Sequence, residues 1–373
     1  MNIAIHNPHL GPNIYTLGIH NYILNLIQDG HTPYIFIDTI DKGYTKVMIK
    51  KIIYSLGLES FFSYVPSNKQ KMPWNFTNII FSQKTLNSKC DVLISFNTHL
   101  KEQAFSSAVK NFNGLKIWHV GDYFWNEAGS IINKRFMDNG ISHIMGYASH
   151  DKHCDYFKKT FPTFENKVIP VAFGYSDRFK NTLNFDKRIN KSVGIGSVNP
   201  LRPLEYPVHN YIESSNFYPD DSWFHRTRRQ FILNENKLGV SMDLMFPKFP
   251  QIKDFRYDLV AKFNEYKMFT SCESIWYFPP AKTYEGSACG SVNICIDHRC
   301  NKEFGFEDGV NCIMYEEGNI DSYIQKVEYY QKNENKLKEI SKNAQNFVYD
   351  NFRHKIVAQN IVKSISNIYQ GNK

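Results

Sequence analysis

Short runs of apolar residues alternate with amphipathic segments along this chain, and this alternation constrains its fold more than any other feature. The first run is residues 1–6, and the second is residues 33–37. Between them, apolar residues recur at helical spacing over residues 19–27, and Gly30 ends the pattern. A strand, a helix and a strand in this order are the building block of a parallel sheet. The start of the chain therefore predicts an α/β domain.

The same alternation continues to the C-terminus. The further strands predicted from apolar runs are residues 92–96, 115–120, 143–148, 167–171, 240–244, 267–270 and 292–296. Residues 192–198, SVGIGSV, predict a strand followed by a glycine-rich turn. The helices predicted from amphipathic spacing are residues 228–238, 259–266, 319–330, 335–349 and 355–369. Strands that are regularly separated by helices favour doubly wound parallel sheets.

The length of the chain indicates two domains. Its 373 residues exceed one ordinary core and fit two domains of roughly 150 to 200 residues each. Residues 181–191 are polar and without periodicity, so they are the predicted linker. We expect Rossmann-like domains over residues 1–180 and 191–350, followed by a final helix within residues 351–373. The predicted site is a cleft at the C-terminal ends of the strands.

Composition excludes several classes of protein. Apolar residues make up 42% and charged residues 21% of the chain, which is typical of a globular fold. No apolar run reaches about 18 residues, and the first residues have a strand pattern instead of a secretion signal, so we expect a cytoplasmic protein. The seven cysteines are odd in number and irregularly spaced, which favours reduced thiols.

The chain is basic, with a formal net charge of +8. Such a charge suits nucleic acid, an anionic membrane surface or an anionic small substrate. Basic residues are spread along the sequence, and it contains no recognisable nucleic-acid-binding motif. We therefore expect a substrate of the nucleotide type, and peripheral attachment to a membrane surface, ahead of nucleic acid.

The stretch KTYEGSACGSVNICIDH, residues 282–298, predicts a short helix that runs into a buried strand. Lys282 and Glu285 are three residues apart, so they lie on one face of that helix. Thr283 is the expected N-cap, and Gly290 is expected to end the helix before the strand. The helix would thus present one basic and one acidic side chain near its start, and a nucleoside diphosphate offers a partner for each.

Three stretches of the sequence resemble glycosyltransferases of the GT-B fold, in particular the group 1 family that includes glycosyltransferase family 4. Residues 18–36 are similar to the family's opening pattern of a glycine-containing loop, a helix, Gly-His and a strand. The sequence KTYEGSACGSVNICI resembles its donor-site pattern, a Glu and a small residue followed by Ala-x-Gly and a strand. Residues 305–330 resemble its Phe-x-Asp-Gly-x-Asn segment and the helix after it.

The resemblance implies a fold, an activity and a role for each domain. The fold would be α/β, with two doubly wound Rossmann-like domains facing a central cleft and a C-terminal helix that crosses back to the N-terminal domain. The N-terminal domain would bind the acceptor, and the C-terminal domain would bind a nucleotide-sugar donor based on UDP or GDP. The sugar would pass to a hydroxyl of a glycan or lipid-linked glycan, with no metal ion or other cofactor.

The donor-site residues follow from the same resemblance. Glu285 matches the glutamate that accepts hydrogen bonds from the ribose hydroxyls, although a surface glutamate stabilised by the helix dipole is the alternative. Lys282 would contact a phosphate, or else be an exposed lysine, and free N–H groups of Gly286 and Ser287 would add an anion site. The family often has an acidic residue eight positions before Glu285, where this chain has Tyr277. The departure leaves the stereochemistry and the catalytic assignment open.

Further donor contacts are expected where the second domain begins. Gly196 and Ser197 lie in a glycine-rich turn after a strand, which is either a phosphate contact or only a tight turn. Arg202 follows within reach of a diphosphate. Among the arginines of residues 226–229, one is expected to neutralise the departing nucleoside diphosphate, and Arg228 is our candidate.

In the first domain, the segment KIWHVGDYFW, residues 116–125, delivers two catalytic candidates to the end of a strand. His119 and Asp122 could each act as the general base that accepts the proton of the acceptor hydroxyl, and Asp122 is the better candidate. The alternatives are a histidine satisfied in the core and an aspartate that caps a loop.

We expect no metal site, because His150, His153 and Cys154 come near ligand spacing but the paired cysteines of a zinc site are missing.

Two other functions remain open. A nucleotide-sugar epimerase shares the fold but needs several acid and base residues around the sugar. The second alternative is a catalytically silent module that binds glycans or nucleotides. It remains open because Tyr277 stands where the family often has an acidic residue.

Overall fold

The structure is a computed structural model. It describes residues 1–6, 32–38, 44–45, 48–49, 52, 56, 78–95, 107–120, 129–154, 157–158, 161–196, 226–245, 258–272 and 277–371. The chain divides into two compact units. The first contains Met1–Gly146, Phe157–Val171 and Ala358–Lys373, and the second contains Tyr147–Tyr156 and Ala172–Val357.

Strands and helices alternate through both units. The strands of the described residues are β1 (Asn2–His6), β2 (Thr32–Phe36), β3 (Ile79–Ile80), β4 (Val92–Ser95), β5 (Leu115–His119), β6 (His143–Gly146), β7 (Val168–Pro170), β8 (Ile189–Ile195), β9 (Met242–Met245), β10 (Tyr266–Thr270), β11 (Val292–Ile296) and β12 (Ile313–Tyr315). The α-helices are α1 (Gln83–Lys89), α2 (Ser107–Lys110), α3 (Gly129–Asp138), α4 (His150–His153), α5 (Arg226–Leu233), α6 (Glu235–Leu238), α7 (Leu259–Glu265), α8 (Ala281–Ala288), α9 (Arg299–Glu303), α10 (Ile320–Lys332), α11 (Glu334–Asn351) and α12 (His354–Gly371).

The first unit is built on a parallel sheet. In the described part of the chain it has seven strands, in the order β3-β2-β1-β4-β5-β6-β7. Its central strands are buried on both faces, and Ile3, Ile94 and Ile117 are at most 1% exposed. Strands that are buried on both faces have apolar residues at consecutive positions. The sequence pattern predicted them for this reason.

Aromatic packing fills the space between this sheet and its helices. The ring of Phe136 in α3 lies 5.8 Å from that of Trp118 in β5, measured between centroids. It also contacts the rings of Phe161 and Phe164, at 6.1 and 5.7 Å. Such tilted and edge-on pairs each contribute about 0.5–1.5 kcal/mol beyond their buried area. The sheet is therefore covered by a rigid layer at the level of β5.

The second unit is built on a parallel sheet in the order β12-β11-β10-β8-β9. An apolar cluster that includes Met268, Val292, Phe231 and Tyr323 packs on it, and each of these residues is fully buried. The helix α12 begins in this unit, and from Ala358 onward its residues belong to the first. The two units are therefore Rossmann-like domains whose C-terminal helix crosses from the second to the first.

A short piece of chain between β6 and β7, residues 147–156, belongs to the second unit. The ring of Tyr147 stacks on that of Phe173, with centroids 3.6 Å apart and planes at 12°. The N–H of Ser149 donates to the Glu303 carboxylate at 2.9 Å, and the Ser149 hydroxyl donates to the other carboxylate oxygen. Stacking and a two-point hydrogen-bonded contact thus hold this segment in place.

Most predicted elements are present, with ends displaced by at most three residues, although the helix predicted at residues 228–238 is divided into α5 and α6. The strand predicted at residues 92–96 is Val92–Ser95, and the last predicted helix is His354–Gly371. The two-residue strand Ile79–Ile80 was not predicted, since so short a run has no periodicity. The helix predicted at residues 19–27 and the glycine after it lie outside the described residues.

The predicted linker, residues 181–191, is instead a structured part of the second unit. A 3-10 helix, Phe185–Lys187, leads into β8, and Arg188 between them is 4% exposed. The guanidinium of Arg188 donates to the carbonyls of Leu183 and Cys289, at 2.9 and 2.8 Å, and to the side chain of Asn181 at 2.7 Å. Polar residues of this segment therefore belong to a buried hydrogen-bond network centred on Arg188.

The two units divide after Val171 and after Val357, where the sequence analysis placed boundaries at residues 180 and 350. All seven cysteines are free thiols. Within the described ranges, no helix combines the length and the apolar character that crossing a bilayer requires.

The end of α8 is fixed by a glycine. Gly290 has a φ of 78°, in the left-handed region that glycine adopts without strain. Its N–H donates to the carbonyl of Ser287 at 2.9 Å, and the N–H of Ser291 donates to the carbonyl of Gly286 at 3.1 Å. This pair of bonds is the Schellman motif, which satisfies the last carbonyls of the helix. The prediction that Gly290 ends this helix is confirmed.

We expect Gly290→Ala to lower the free energy of unfolding by about 1–2 kcal/mol or more, because a left-handed backbone strains alanine. The new Cβ would also lie 2.7 Å from Nδ2 of Asn181. Gly239→Ala is the matched control, since Gly239 has a φ of −54° and a Cβ there meets no described atom within 4 Å. Urea unfolding of both variants checks this prediction, and an equal loss in the two would contradict it.

Candidate active site

The second sheet has one point at which its strand order reverses. The chain runs from β8 to β9 on one side, then crosses to β10 on the other side of β8 and continues to β11 and β12. Ligands of such sheets bind beyond the C-terminal ends of the two strands that flank the reversal. The residues that follow these ends are Gly196 after β8, and Ser271 and Cys272 after β10. The topology alone therefore locates a candidate site.

Arg228 of α5 lies across this point and is 7% exposed. One of its terminal nitrogens donates to the carbonyl of Ser271 at 3.2 Å. Its guanidinium also lies against Gly196, where a Cβ would be 2.6 Å from the guanidinium carbon and where φ is 154°. Gly196 is therefore required for the close approach of Arg228, and the arginine spans the exits of β8 and β10.

Two further charges come from α8, the helix after β10. Glu285 is 8% exposed, and burial raises its pKa, although the charges of Lys282 and Arg178 oppose the shift. Burial lowers the pKa of Lys282, and the charge of Arg228 adds to that effect, while Glu285 and Cys272 oppose it. These mutual effects place Lys282, Glu285 and Arg228 in one electrostatic cluster, in which Glu285 and Arg228 are buried and Lys282 is half-buried. We call it the buried charge cluster.

Two details of α8 differ from the sequence prediction. The helix begins at Ala281 and its N-cap is Pro280, so Thr283 is inside it, where its hydroxyl lies 3.2 Å from that of Ser271. Only the first four N–H groups of a helix lack a partner within it. Gly286 and Ser287 lie beyond those four, so their N–H groups are not the free anion site that the sequence suggested.

The small residues of α8 have a packing role. A Cβ at Gly286 would lie 2.5 Å from the ring of Phe269 in β10, so the glycine lets the helix lie directly on the strand. Ser287 is completely buried. This contact fixes the distance between α8 and the sheet, and with it the position of the buried charge cluster.

The structure thus brings together Arg228, Gly196, Lys282 and Glu285 among the residues predicted from sequence. Ser197, Arg202 and Asp122 lie outside the described residues. His119 is in the first unit, at the C-terminal end of β5. Sequence reasoning missed the influence of Arg178 on Glu285, because an exposed arginine more than a hundred positions away has no pattern that connects it.

The first sheet has its own reversal point, between β1 and β4. His6 ends β1 and Ser95 ends β4, and Nδ1 of His6 lies 3.2 Å from the hydroxyl oxygen of Ser95. One strand further along, His119 is 2% exposed, and burial lowers its pKa to about 4. The C-terminal edge of this sheet therefore carries two buried histidines, of which His119 is neutral at physiological pH.

Comparison with known proteins relates this arrangement to glycosyltransferases. Residues 251–363, which include α8, match the family model described as glycosyl transferase-like. A comparison with curated protein sequences gave no match.

Solved structures with a similar fold cover nearly the whole chain. HepE from Anabaena in complex with UDP has a TM-score of 0.56 and 11% identity, covering 98% of this chain and 100% of its own. Sucrose-phosphate synthase from Thermosynechococcus elongatus has a TM-score of 0.52 and 10% identity over 100% of both chains. An alpha-glucosyltransferase in complex with UDP-glucose and DNA has a TM-score of 0.52 and 12% identity, covering 99% of this chain and 100% of its own.

The fold is therefore the GT-B fold, and the resemblance to group 1 glycosyltransferases that the sequence suggested is confirmed.

The buried charge cluster makes the stability of the unliganded protein depend on pH. Because folding raises the pKa of Glu285, its contribution to stability is fully present below the ordinary value of 4.5 and is lost as the pH rises through the raised value. Glu285→Gln removes this loss. We expect the variant to be more stable than the wild type at pH 8, by on the order of 1–2 kcal/mol, and equally stable near pH 4.5.

Urea unfolding at both pH values measures the difference, and Glu339→Gln, at an exposed position on α11, is the control. A Glu285→Gln variant that is less stable than the wild type at pH 8 would contradict the prediction.

Proposed function

We propose that the protein is a glycosyltransferase that moves a sugar from a nucleotide-sugar donor to a hydroxyl of a glycan or lipid-linked glycan. The observation that carries the proposal is the buried charge cluster at the reversal point of the second sheet, within a GT-B fold. The glycosyl transferase-like match covers two of its three members, Lys282 and Glu285. HepE and the alpha-glucosyltransferase were crystallised with UDP and UDP-glucose, so a uridine donor is the first to test.

The cluster has the charges that a nucleoside diphosphate needs. Lys282 and Arg228 attract the diphosphate, and they stabilise the charge that develops on it when the bond from the sugar to the phosphate breaks. Glu285 offers two acceptor oxygens to the vicinal hydroxyls of the ribose. Because these hydroxyls donate to the charged carboxylate, donor binding lowers the raised pKa of Glu285 and releases its proton. In this proposal the cationic side chains bind the diphosphate without a metal ion or other cofactor.

Charge burial before binding also has an energetic consequence. Each member of the cluster is desolvated in the unliganded protein, so the site is held ready at the expense of stability. A diphosphate beside the two cations and ribose hydroxyls beside the carboxylate relieve this destabilisation, and these groups meet little competing water. Binding energy is then available for the transfer step.

In this proposal the acceptor binds to the first unit, and a general base there accepts the proton of the acceptor hydroxyl. Asp122 and His119 are the candidates, and the low pKa of His119 keeps its imidazole in the form that accepts a proton. The fold itself does not determine the acceptor, since its structural neighbours include a sucrose-phosphate synthase and an enzyme in complex with DNA. Peripheral attachment to a cytoplasmic membrane surface would suit a lipid-linked acceptor and the net charge of +8.

Donor binding tests the first half of the proposal. We expect UDP or a UDP-sugar to stabilise the purified protein by about 2.7 kcal/mol at one hundred times its Kd, in a thermal-shift screen that also contains GDP, TDP and CMP conjugates. Glu285→Ala should weaken that binding at least about tenfold, because the ribose loses a charged acceptor. Glu339→Ala, an exposed glutamate on α11, should bind like the wild type.

Analysis of the products formed from the bound donor separates a transferase from the two alternative functions. Release of nucleoside diphosphate from the bound donor, with a glycan acceptor or with water, supports a transferase. Tight binding without release or conversion supports a silent binding module, and conversion to a second sugar nucleotide supports an epimerase. Absence of any nucleotide binding would refute the proposal.

Variants of Asp122 and His119 test the proposal that one of them is the general base for the acceptor hydroxyl. Replacement of the true base should lower kcat by about 10²- to 10⁴-fold with little change in donor Kd, because proton transfer occurs in the transition state. We therefore expect Asp122→Asn to have this effect and His119→Gln to have a smaller one. The measurement is kcat together with donor affinity for both variants. The opposite ranking would transfer the role to His119, and two fully active variants would exclude both residues.

A further inference from the structure

Two strained backbone positions flank the loop that joins β10 to α8. Cys272 has a φ of 48° and Tyr277 has a φ of 58°, and neither residue is a glycine. Such conformations are rare for bulky side chains, and they concentrate at ligand sites, where the strain holds a side chain in a required position. The strain at Tyr277 places its ring against the residue that follows the neighbouring strand.

That residue is His298, two positions after the end of β11. The rings of Tyr277 and His298 are stacked, with centroids 4.3 Å apart and planes at 15°. Both side chains are partly exposed. Because β10 and β11 are parallel neighbours, the stacked pair lies at the same edge of the sheet as the buried charge cluster, one strand away from the reversal point.

A hydrogen bond fixes the tautomer of His298. Its Nδ1 accepts from the N–H of Cys300 at 3.2 Å, so in the neutral ring the proton is on Nε2. Burial lowers the pKa of His298 to about 4, with smaller contributions from His153, Arg299 and Lys302 and opposition from Asp297. Among the described residues, Nε2 has no hydrogen-bond partner. The ring thus presents one neutral N–H donor in a fixed direction.

We propose that His298, held by its stack on Tyr277 and its bond from Cys300, donates Nε2–H to a hydroxyl of the transferred sugar. This inference rests on the proposed function, in which Lys282 and Arg228 bind the diphosphate and Glu285 binds the ribose. The sugar is the remaining part of the donor, and the stacked pair has the chemistry that suits it. A neutral N–H pairs with a hydroxyl, and aromatic rings pack on the C–H surface of a sugar.

Two substitutions separate this role from helix capping. Asn and Asp are equally good N-caps for α9, so His298→Asn and His298→Asp both keep the bond from Cys300. Asn retains an N–H donor, whereas Asp has none. The readout is the ratio of the Kd for UDP-glucose to the Kd for UDP, measured by calorimetry. An added negative charge repels UDP, which carries the extra charge of a terminal phosphate, at least as strongly as it repels UDP-glucose, so charge alone does not raise this ratio.

We expect this ratio to rise at least about fivefold in His298→Asp and clearly less in His298→Asn. Arg299→Gln removes an exposed positive charge beside His298 without altering the cap or the stack, and it should leave the ratio unchanged. Tyr277→Asn is the second variant, since Asn tolerates a left-handed backbone but cannot hold the imidazole ring. It should raise the ratio. Because the Tyr277 ring also packs against the apolar cluster of the second unit, we expect a lower melting temperature whether or not the stacked pair contacts a sugar.

The outcomes distinguish the two proposals. If the wild type binds UDP and UDP-glucose but the ratio in His298→Asp stays within about twofold of the wild type, His298 has no contact with the sugar and this inference fails alone. If the ratio is unchanged in Tyr277→Asn, the stacked pair is only structural, whatever the melting temperature of the variant. If the wild type binds no nucleotide, the proposed function fails and this inference fails with it.

Discussion

The buried guanidinium of Arg188 is the contact on which the second unit depends. Its donors reach the carbonyls of Leu183, Phe263 and Cys289, which belong to the approach to β8, to α7 and to the end of α8. Burial lowers its pKa to about 10, and the guanidinium remains charged at neutral pH. Removing one partner from a buried charged network typically costs about 3–5 kcal/mol, since the others are left unsatisfied. The last turn of α8 is therefore tied to the first strand of the sheet that α8 covers.

The positions of Lys282 and Glu285 follow from where α8 is held. Its C-terminal end is fixed by Arg188 and by the glycine cap, and its middle by the contact of Gly286 with Phe269. Lys282 and Glu285 therefore cannot move apart, although each would be better solvated in water. The protein keeps an acidic and a basic side chain in a poorly solvated place, at a cost to its stability. Such an arrangement is typical of a site prepared for a charged ligand.

Periodic features were predictable from the sequence, and non-local ones were not. Parallel strands buried on both faces and long amphipathic helices have a signal in their own residues, so their positions were found to within a few residues. Arg188 was mistaken for part of a linker because its partners are up to 101 positions away. At α8, the glycine that ends the helix has a local signature, whereas the choice between Thr283 and Pro280 as its start depends on tertiary packing. The charge pair was found from its spacing, but the role of Arg228 beside Gly196 required the fold.

The segment of residues 147–156 has a consequence for how this protein can change over time. Because it lies within the first half of the sequence yet packs on Phe173 and Glu303 of the second unit, neither unit corresponds to one uninterrupted stretch of the gene. A single recombination event that exchanged the C-terminal half for that of a relative would leave Tyr147 and Ser149 facing foreign partners. The two halves of the sequence are thus constrained to change together.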